Sequence, residues 1–492
     1  MFPLDIHKLQ QLFVYHPDEP LIFNSGLFLF LFTGFLWVYI SLSETHRPKL
    51  IFVVLFSLYF YYKSSGGYFV LLLFATVIDF TLAKLIYGSK NRAYRKFYIV
   101  LTLVVNLGML AYFKYTNFLL GAFFAAGGAH FQPLDIFLPV GVSFFTFQSL
   151  SYTLDVYRGN LKPVDDILDY AFFVSFFPQL VAGPIVRASD FLPQIHRPTM
   201  VTAEMFGRGV FLIGCGLFKK AVISDYISIN FIDRVFDAPT LYSGIENLFA
   251  VYGYALQIYC DFSGYSDMAI GIALLLGFHF PLNFDSPYQS RDITEFWRRW
   301  HISLSTWLRD YLYISLGGNR KGRVRTYINQ LITMLLGGLW HGASWRFIIW
   351  GGLHGAALAL HKFYRSWSGR PFRRRGQIQT FAGIFLTFHF VCFCWIFFRA
   401  ADMETVGEML NQMLFHFNAG LFSDFVAGYK VVLMLMTIGY ILHFIPREAE
   451  LAAQETITNM PLAGKAAFML SVILLVIQTK ASGIQPFIYF QF

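Results

Sequence analysis

The sequence predicts an all-α, polytopic integral membrane protein. Two observations carry that prediction. Of its 492 residues, 56% are hydrophobic and only 14% charged, where a soluble domain runs nearer a quarter charged. Apolar stretches also recur along the whole length, with no Pro/Ser-rich linker, low-complexity tract or internal repeat between them. A soluble chain this long would divide into domains joined by polar linkers.

A membrane-crossing helix needs about 20 mostly apolar residues. Leu21 to Ser43 contains no Asp, Glu, Lys, Arg or His, and Phe97 to Phe113 and Ile136 to Leu154 carry no charge. Further candidates lie near 50–62, 68–87, 206–224, 247–260, 262–280, 326–345, 347–361, 376–398, 429–444 and 464–480. Several are short or hold one ionisable residue, so the expectation is roughly eleven spans with re-entrant and interfacial helices among them. The first run follows Asp5, Asp18 and Glu19 and lacks a basic leader and a small-residue cleavage site. It is expected to be retained.

The formal net charge of +9 is concentrated in loops, at Lys90 to Lys96, Arg320 to Arg325 and Lys362 to Arg375. The positive-inside rule explains such loops by a cytoplasmic location; an anionic ligand is the sharper alternative. Cys215, Cys260, Cys392 and Cys394 all lie in apolar runs. Their spacing fits neither a metal site nor a disulfide framework, so buried free thiols are expected. No dinucleotide fingerprint, phosphate loop, His-Glu-x-x-His or nucleophile elbow is present. Chemistry must then come from polar residues within the membrane region, where they are costly.

Four polar elements interrupt the apolar pattern. In Phe176 to Pro184, two prolines and a glycine break a hydrophobic run. The segment is either re-entrant or broken, sheltered by protein or lining a cavity, or it is a kinked span. Asp261 and Asp267 place two carboxylates in an apolar region. They either pair structurally, with arginines, or line a polar passage.

The third element, Asp292 to Leu316, reads as one amphipathic interfacial helix. Asp292 and Glu295 form a capping-box-like start, and Gly317-Gly318-Asn319 forms the stop. Trp297, Trp300, Leu304, Trp307, Leu308 and Tyr311 recur at helical spacing, which places the tryptophans at headgroup depth. Arg298, Ser305 and Arg309 fall on another face. His301 falls on the apolar face, as a satisfied core histidine or a catalytic one.

The fourth is Leu335 to Trp345, where His341 interrupts a stretch without charge and is framed by glycines. Trp345, four residues on, is expected to cover the same helix face. A neutral buried histidine suits a general base; packing against a carbonyl is the alternative. His354 and His361 are seven apart and share a helix face, without that frame.

Five stretches together resemble one family: FFPQLVAGPIVRASDFLPQ from Phe176 to Gln194, DFSGYSD from Asp261 to Asp267, SPYQSRDITEFWRRWHISLS from Ser286 to Ser305, YLYISLGGNRKG from Tyr311 to Gly322, and LLGGLWHGASW from Leu335 to Trp345. They are similar to the membrane-bound O-acyltransferases, above all the bacterial branch that includes alginate O-acetylases, with peptidoglycan O-acetyltransferases and teichoic acid D-alanyl transferases as cousins. The resemblance is densest between Phe172 and Tyr364.

The resemblance implies one membrane domain over residues 1–492, with a catalytic core at about 170–365 and a ring of helices around a central funnel. It implies that His341 is the essential histidine and His301 the second polar residue of the catalytic site. Trp340, Trp345, Arg298, Arg320, Lys321, Pro178 and Gln179 become the expected substrate- and donor-binding residues. The C-terminal Phe487-Ile488-Tyr489-Phe490-Gln491-Phe492 is similar to a motif of the alginate branch. Tyr489 is therefore either an acyl-carrying nucleophile or part of an aromatic interfacial anchor. The donor would be a cytoplasmic thioester such as acetyl-CoA, with no bound cofactor, no metal and no nucleic acid. The acyl group would reach a cell-envelope polysaccharide through an extracytoplasmic SGNH-type acetyltransferase. Multi-pass placement in a bacterial inner membrane follows. D-alanyl transfer to a teichoic acid-like polymer, and a non-enzymatic precursor transporter, are the rival expectations.

Overall fold

The computed structural model describes residues 11–17, 19–42, 45–197, 200–368 and 376–479. Every regular element among them is helical. Among the described residues, four helical stretches are long and apolar enough to cross a membrane: His46–Gly88, Arg92–Ala126, Gln377–Arg399 and Leu462–Thr479. Ala419–Gly428 with Lys430–Phe444 forms a fifth candidate, bent by 93°. The remaining apolar runs form helices that are shorter, broken or more polar, so the count of about eleven does not follow from length and composition. Ala203–Leu217 runs into a π-helical turn at Phe218–Ser224, and Gly244–Leu275 carries Asp261 and Asp267. Large apolar side chains such as Phe30, Trp37, Val104, Phe123, Phe381 and Ile477 are more than half exposed. Water would penalise such a surface, whereas lipid solvates it.

The chain divides into two compact units: Met1–Met205 with Ile272–Pro281, and Phe206–Gly271 with Leu282–Phe492. In the first, Ser25 caps the Gly26–Ser41 helix, its hydroxyl accepting from the Phe28 amide at 3.1 Å. Phe28, Phe32, Phe35 and Tyr39 recur every three or four residues and form the buried face of that helix. The rings of Phe28, Phe32 and Phe35, with Phe56 and Phe60 from the His46–Ser65 helix, lie 5.1–6.3 Å from the ring of Phe177. Phe177 therefore anchors the proline-broken segment.

That segment is a buried break between helices and not one continuous kinked helix. The Ile167–Ser175 helix stops, Phe177–Leu180 adds one turn, and the chain runs non-helically to Ala188–Ile195. Ser175 to Val186 is buried throughout. Non-helical backbone in a membrane protein has to be sheltered by protein, as it is here. Gln179 assists, its amide donating to the Phe173 carbonyl at 2.5 Å.

In the second unit, Arg323–His341 and Trp345–Ser368 lie against each other with backbones in contact. A Cβ on Gly338 would overlap the Phe347 carbonyl, and one on Gly351 would overlap that of Met334. Small residues of this kind let membrane helices approach closely. Gly338→Val is expected to destabilise the protein beyond the ~1–3 kcal/mol of ordinary overpacking, because backbone cannot yield as a side chain does. Thermal unfolding in detergent checks this. Gly34→Ala, where a methyl meets open space, is the matched control.

Candidate active site

The segment that carries His301 is built from a broken helix. Asp292 caps Ile293–Arg299, accepting from the Glu295 amide at 3.0 Å. The predicted start is thus present, but the helix ends at Arg299. Trp300 is extended, and His301 has φ 42° and ψ 57°, a left-handed conformation among the described non-glycine residues shared only with Ser286. A new helix, Ile302–Trp307, follows and loosens into a π-helical turn at Leu308–Tyr313. One amphipathic helix over Asp292 to Leu316 is therefore not formed.

The physical reason is burial of neighbours. A continuous helix would point Trp300 and His301 roughly 100° apart. The break buries both, at 1% and 0% exposure. Trp300 and Trp307 are core residues, not headgroup anchors. A left-handed non-glycine residue costs about 1–3 kcal/mol and persists only where its surroundings enforce it.

Asn283 supplies that enforcement. Its backbone carbonyl accepts from the Ile302 amide at 2.9 Å. Its side-chain amide donates to the Ser266 hydroxyl at 3.1 Å. Its Oδ1 accepts from the Ser303 amide at 3.2 Å and the Ser303 hydroxyl at 2.9 Å, and lies 3.2 Å from His301 Nδ1. The backbone amide can only donate, so the Asn283 atom facing it is the acceptor oxygen. His301 Nδ1 must then carry the proton. Nε2 is left as a buried lone pair with no hydrogen-bond partner among the described residues. The Phe262 ring meets the imidazole edge to face at 4.5 Å.

His341 is the last residue of Arg323–His341 and is 3% exposed. The rings of Trp340, Trp350 and Phe398 surround it at 5.0, 5.1 and 5.3 Å. Trp340 also lies 6.4 Å from His301, so the two histidines share one indole neighbour. The aromatic wall continues through Trp395 to Trp300, 5.0 Å away. Gly342 allows this corner, since a Cβ there would overlap the Phe347 ring. The helix ends at His341, so the i+4 relation to Trp345 does not exist. Trp345 begins the next helix and is 60% exposed, and Trp350 of that helix packs against the imidazole.

The other expected residues are dispersed. Arg298, Arg320 and Lys321 are exposed. Pro178 and Gln179 are buried in the first unit. Tyr489 lies outside the described residues. His354 is fully buried and its Nδ1 accepts from the Trp297 indole at 3.3 Å, while His361 sits 2.8 Å from the Thr294 hydroxyl. The sequence reading missed Asn283, Trp350 and Trp395. A single asparagine before a Ser-Pro turn looks like turn chemistry, and buried tryptophans in apolar helices look like core.

Asp261 and Asp267 take the structural role, but with lysines in place of arginines. Lys219 reaches Asp267 at 2.8 Å, and Lys220 reaches Asp261 at 2.5 Å and Asp225 at 2.7 Å. Adjacent lysines serve both acids because the helix widens into its π-helical turn at Phe218–Ser224. The four cysteines are free thiols, and three of them are buried.

Residues 164–401, which include both histidines, match the membrane-bound O-acyltransferase family. The chain is 39% identical over 424 residues to a peptidoglycan O-acetyltransferase of Helicobacter pylori, covering 80% of each chain. It is 41% identical over 402 residues to a probable alginate O-acetylase of Pseudomonas aeruginosa, covering 80% of this chain and 75% of that one. Similarity to the teichoic acid D-alanyltransferase of Bacillus subtilis is 30% over 274 residues, covering 54% of this chain and 69% of that one. These matches, on a chain whose described elements are all helical, with long apolar helices and two buried histidines about one tryptophan, identify the protein as a member of the membrane-bound O-acyltransferase family and an acyltransferase enzyme.

Proposed function

We propose that this enzyme moves an acetyl group from a cytoplasmic thioester, acetyl-CoA, across a bacterial inner membrane for O-acetylation of a cell-envelope polysaccharide. The single observation that carries this reading is the convergence of His341 and His301 on Trp340 within a wall of aromatic rings. The relatives' names point to acetyl transfer onto peptidoglycan or alginate. In the proposal, helices surround a funnel into which donor and acceptor arrive from opposite sides.

His341 acts as the general base. It takes the proton of a hydroxyl, either of Tyr489 or of the acceptor. The oxygen attacks the thioester carbonyl, a C–O bond forms, the C–S bond breaks, and the thiolate leaves with the proton from the imidazolium. The Nδ1–H tautomer gives His301 Nε2 a lone pair and no hydrogen. It therefore accepts a hydrogen bond from an N–H or O–H of a bound substrate and orients it, and does not donate to an oxyanion. Aromatic walls keep water from the thioester. Exposed Arg298, Arg320 and Lys321 offer positive charge to the phosphates of a CoA-type donor. An extracytoplasmic SGNH-type transferase completes delivery.

The test incubates purified protein in nanodiscs with radiolabelled acetyl-CoA, comparing wild type, His341→Ala and Tyr489→Phe. Label on the wild-type chain that both variants lose supports the route through Tyr489. Label lost only on changing His341 moves the acyl acceptor elsewhere. Label retained by His341→Ala refutes the proposed base. D-alanyl transfer is the second reading, favoured by the D-alanyltransferase similarity. Transfer from a D-alanyl carrier protein, with none from acetyl-CoA, would select it.

Asn283→Ala is expected to lower transfer roughly a hundredfold, because a small misplacement of a positioned group costs that much. The loss should appear in turnover more than in donor KM, and expression should persist. An unchanged turnover would remove Asn283 as the positioning residue.

A further inference from the structure

We infer that His46, Asp169 and His196 form a binding site for one divalent transition-metal cation, Zn2+ or a close analogue. Among the described residues this is the one group of three whose ligand atoms converge, all lying within 4.8 Å of one another. The three come from separate elements of the first unit. His46 opens the His46–Ser65 helix, Asp169 sits in the first turn of Ile167–Ser175, and His196 closes Ala188–Ile195.

The donor chemistry fits. Two imidazoles and a carboxylate suit zinc and its neighbours, leaving a fourth position for water. Asp169 Oδ2 lies 3.1 Å from His196 Nε2, close to the ~3.3 Å between ligand atoms of a tetrahedral zinc site. The His46 and His196 rings are 5.5 Å apart. The closure that remains falls to the two exposed imidazoles. The Asp169 carboxylate is 9% exposed and so fixed, whereas His196 is 59% exposed and His46 is exposed as well. A His–Asp ion pair would account for two of these groups. A third ligand atom converging on the same point is what a metal requires and an ion pair does not.

The position gives the site a purpose. Asp169 precedes the buried, broken Phe176 to Val186 segment and His196 follows it. A cation bound by both, and by His46, joins the two ends of that segment to the first turn of a long apolar helix. It would hold in place backbone that no regular helix stabilises. No sequence pattern signals such a site, since Asp169 lies 123 positions after His46.

The experiment uses full-length protein purified without a polyhistidine tag, stripped with chelator and titrated with Co2+. One equivalent should produce the visible ligand-field band of a nitrogen- and oxygen-ligated site in wild type. Zn2+ should displace it and raise the thermal midpoint. His196→Ala and Asp169→Asn should lose both the band and the zinc-dependent rise. Absence of the band in wild type overturns the proposal without reliance on any variant. An undiminished band in His196→Ala overturns it equally.

Discussion

His341→Ala is expected to abolish O-acetylation while leaving expression and membrane insertion intact. A positioned general base contributes typically ~10²–10⁴-fold to rate, enough to take a single-histidine loss below detection in a cell-based assay. The imidazole lies in an aromatic corner among Trp340, Trp350 and Phe398. Removing it deletes the proposed base and opens a small cavity that alanine leaves apolar, so folding should survive. The measurement is acetyl content of the proposed polysaccharide acceptor, with the amount of membrane-embedded protein determined in parallel. Wild-type acetylation in this variant would exclude His341 from the proposed mechanism.

Lys220→Met should produce the largest loss of stability. The ammonium is 3% exposed and lies between Asp261 and Asp225. Methionine preserves most of the volume, so packing is nearly retained and charge is the variable. Breaking a buried ion pair by removing one partner costs about 3–5 kcal/mol, because an uncompensated charge stays behind. Here two carboxylates are left facing the vacated position. Adding Asp261→Asn should restore part of the loss, since contacting residues do not behave additively. Thermal unfolding of the single and double variants in one detergent reads both effects. An unfolding midpoint in the single variant equal to wild type would show that the triad is solvated or compensated elsewhere.

Much of this protein was determined by its sequence alone. Hydropathy fixes a membrane-embedded, helical chain, because a bilayer leaves the backbone few other ways to satisfy its hydrogen bonds. The motif residues around His301 and His341 carry the family likeness that the similarity to O-acetyltransferases supports. The Asp292 cap was legible because its hydrogen bond is local, to an amide three residues on. Other features depended on residues distant in sequence. Helical periodicity ran straight through Trp300 and His301, yet burial of both side chains breaks the helix there. Spacing placed Trp345 on the helix face of His341, yet the helix ends at His341 and Trp350 packs against the imidazole from the next helix. Pattern showed Asp261 and Asp267 as intramembrane charges, yet only packing against Lys219 and Lys220 chose their partners. Asn283 carried no signal, and its meaning appears only when His301, Ser303 and Ser266 close around it. The division follows from range: solvation and capping act through near neighbours and are written in the chain, whereas tautomers, ion pairs and convergent side chains are decided by residues that folding alone brings together.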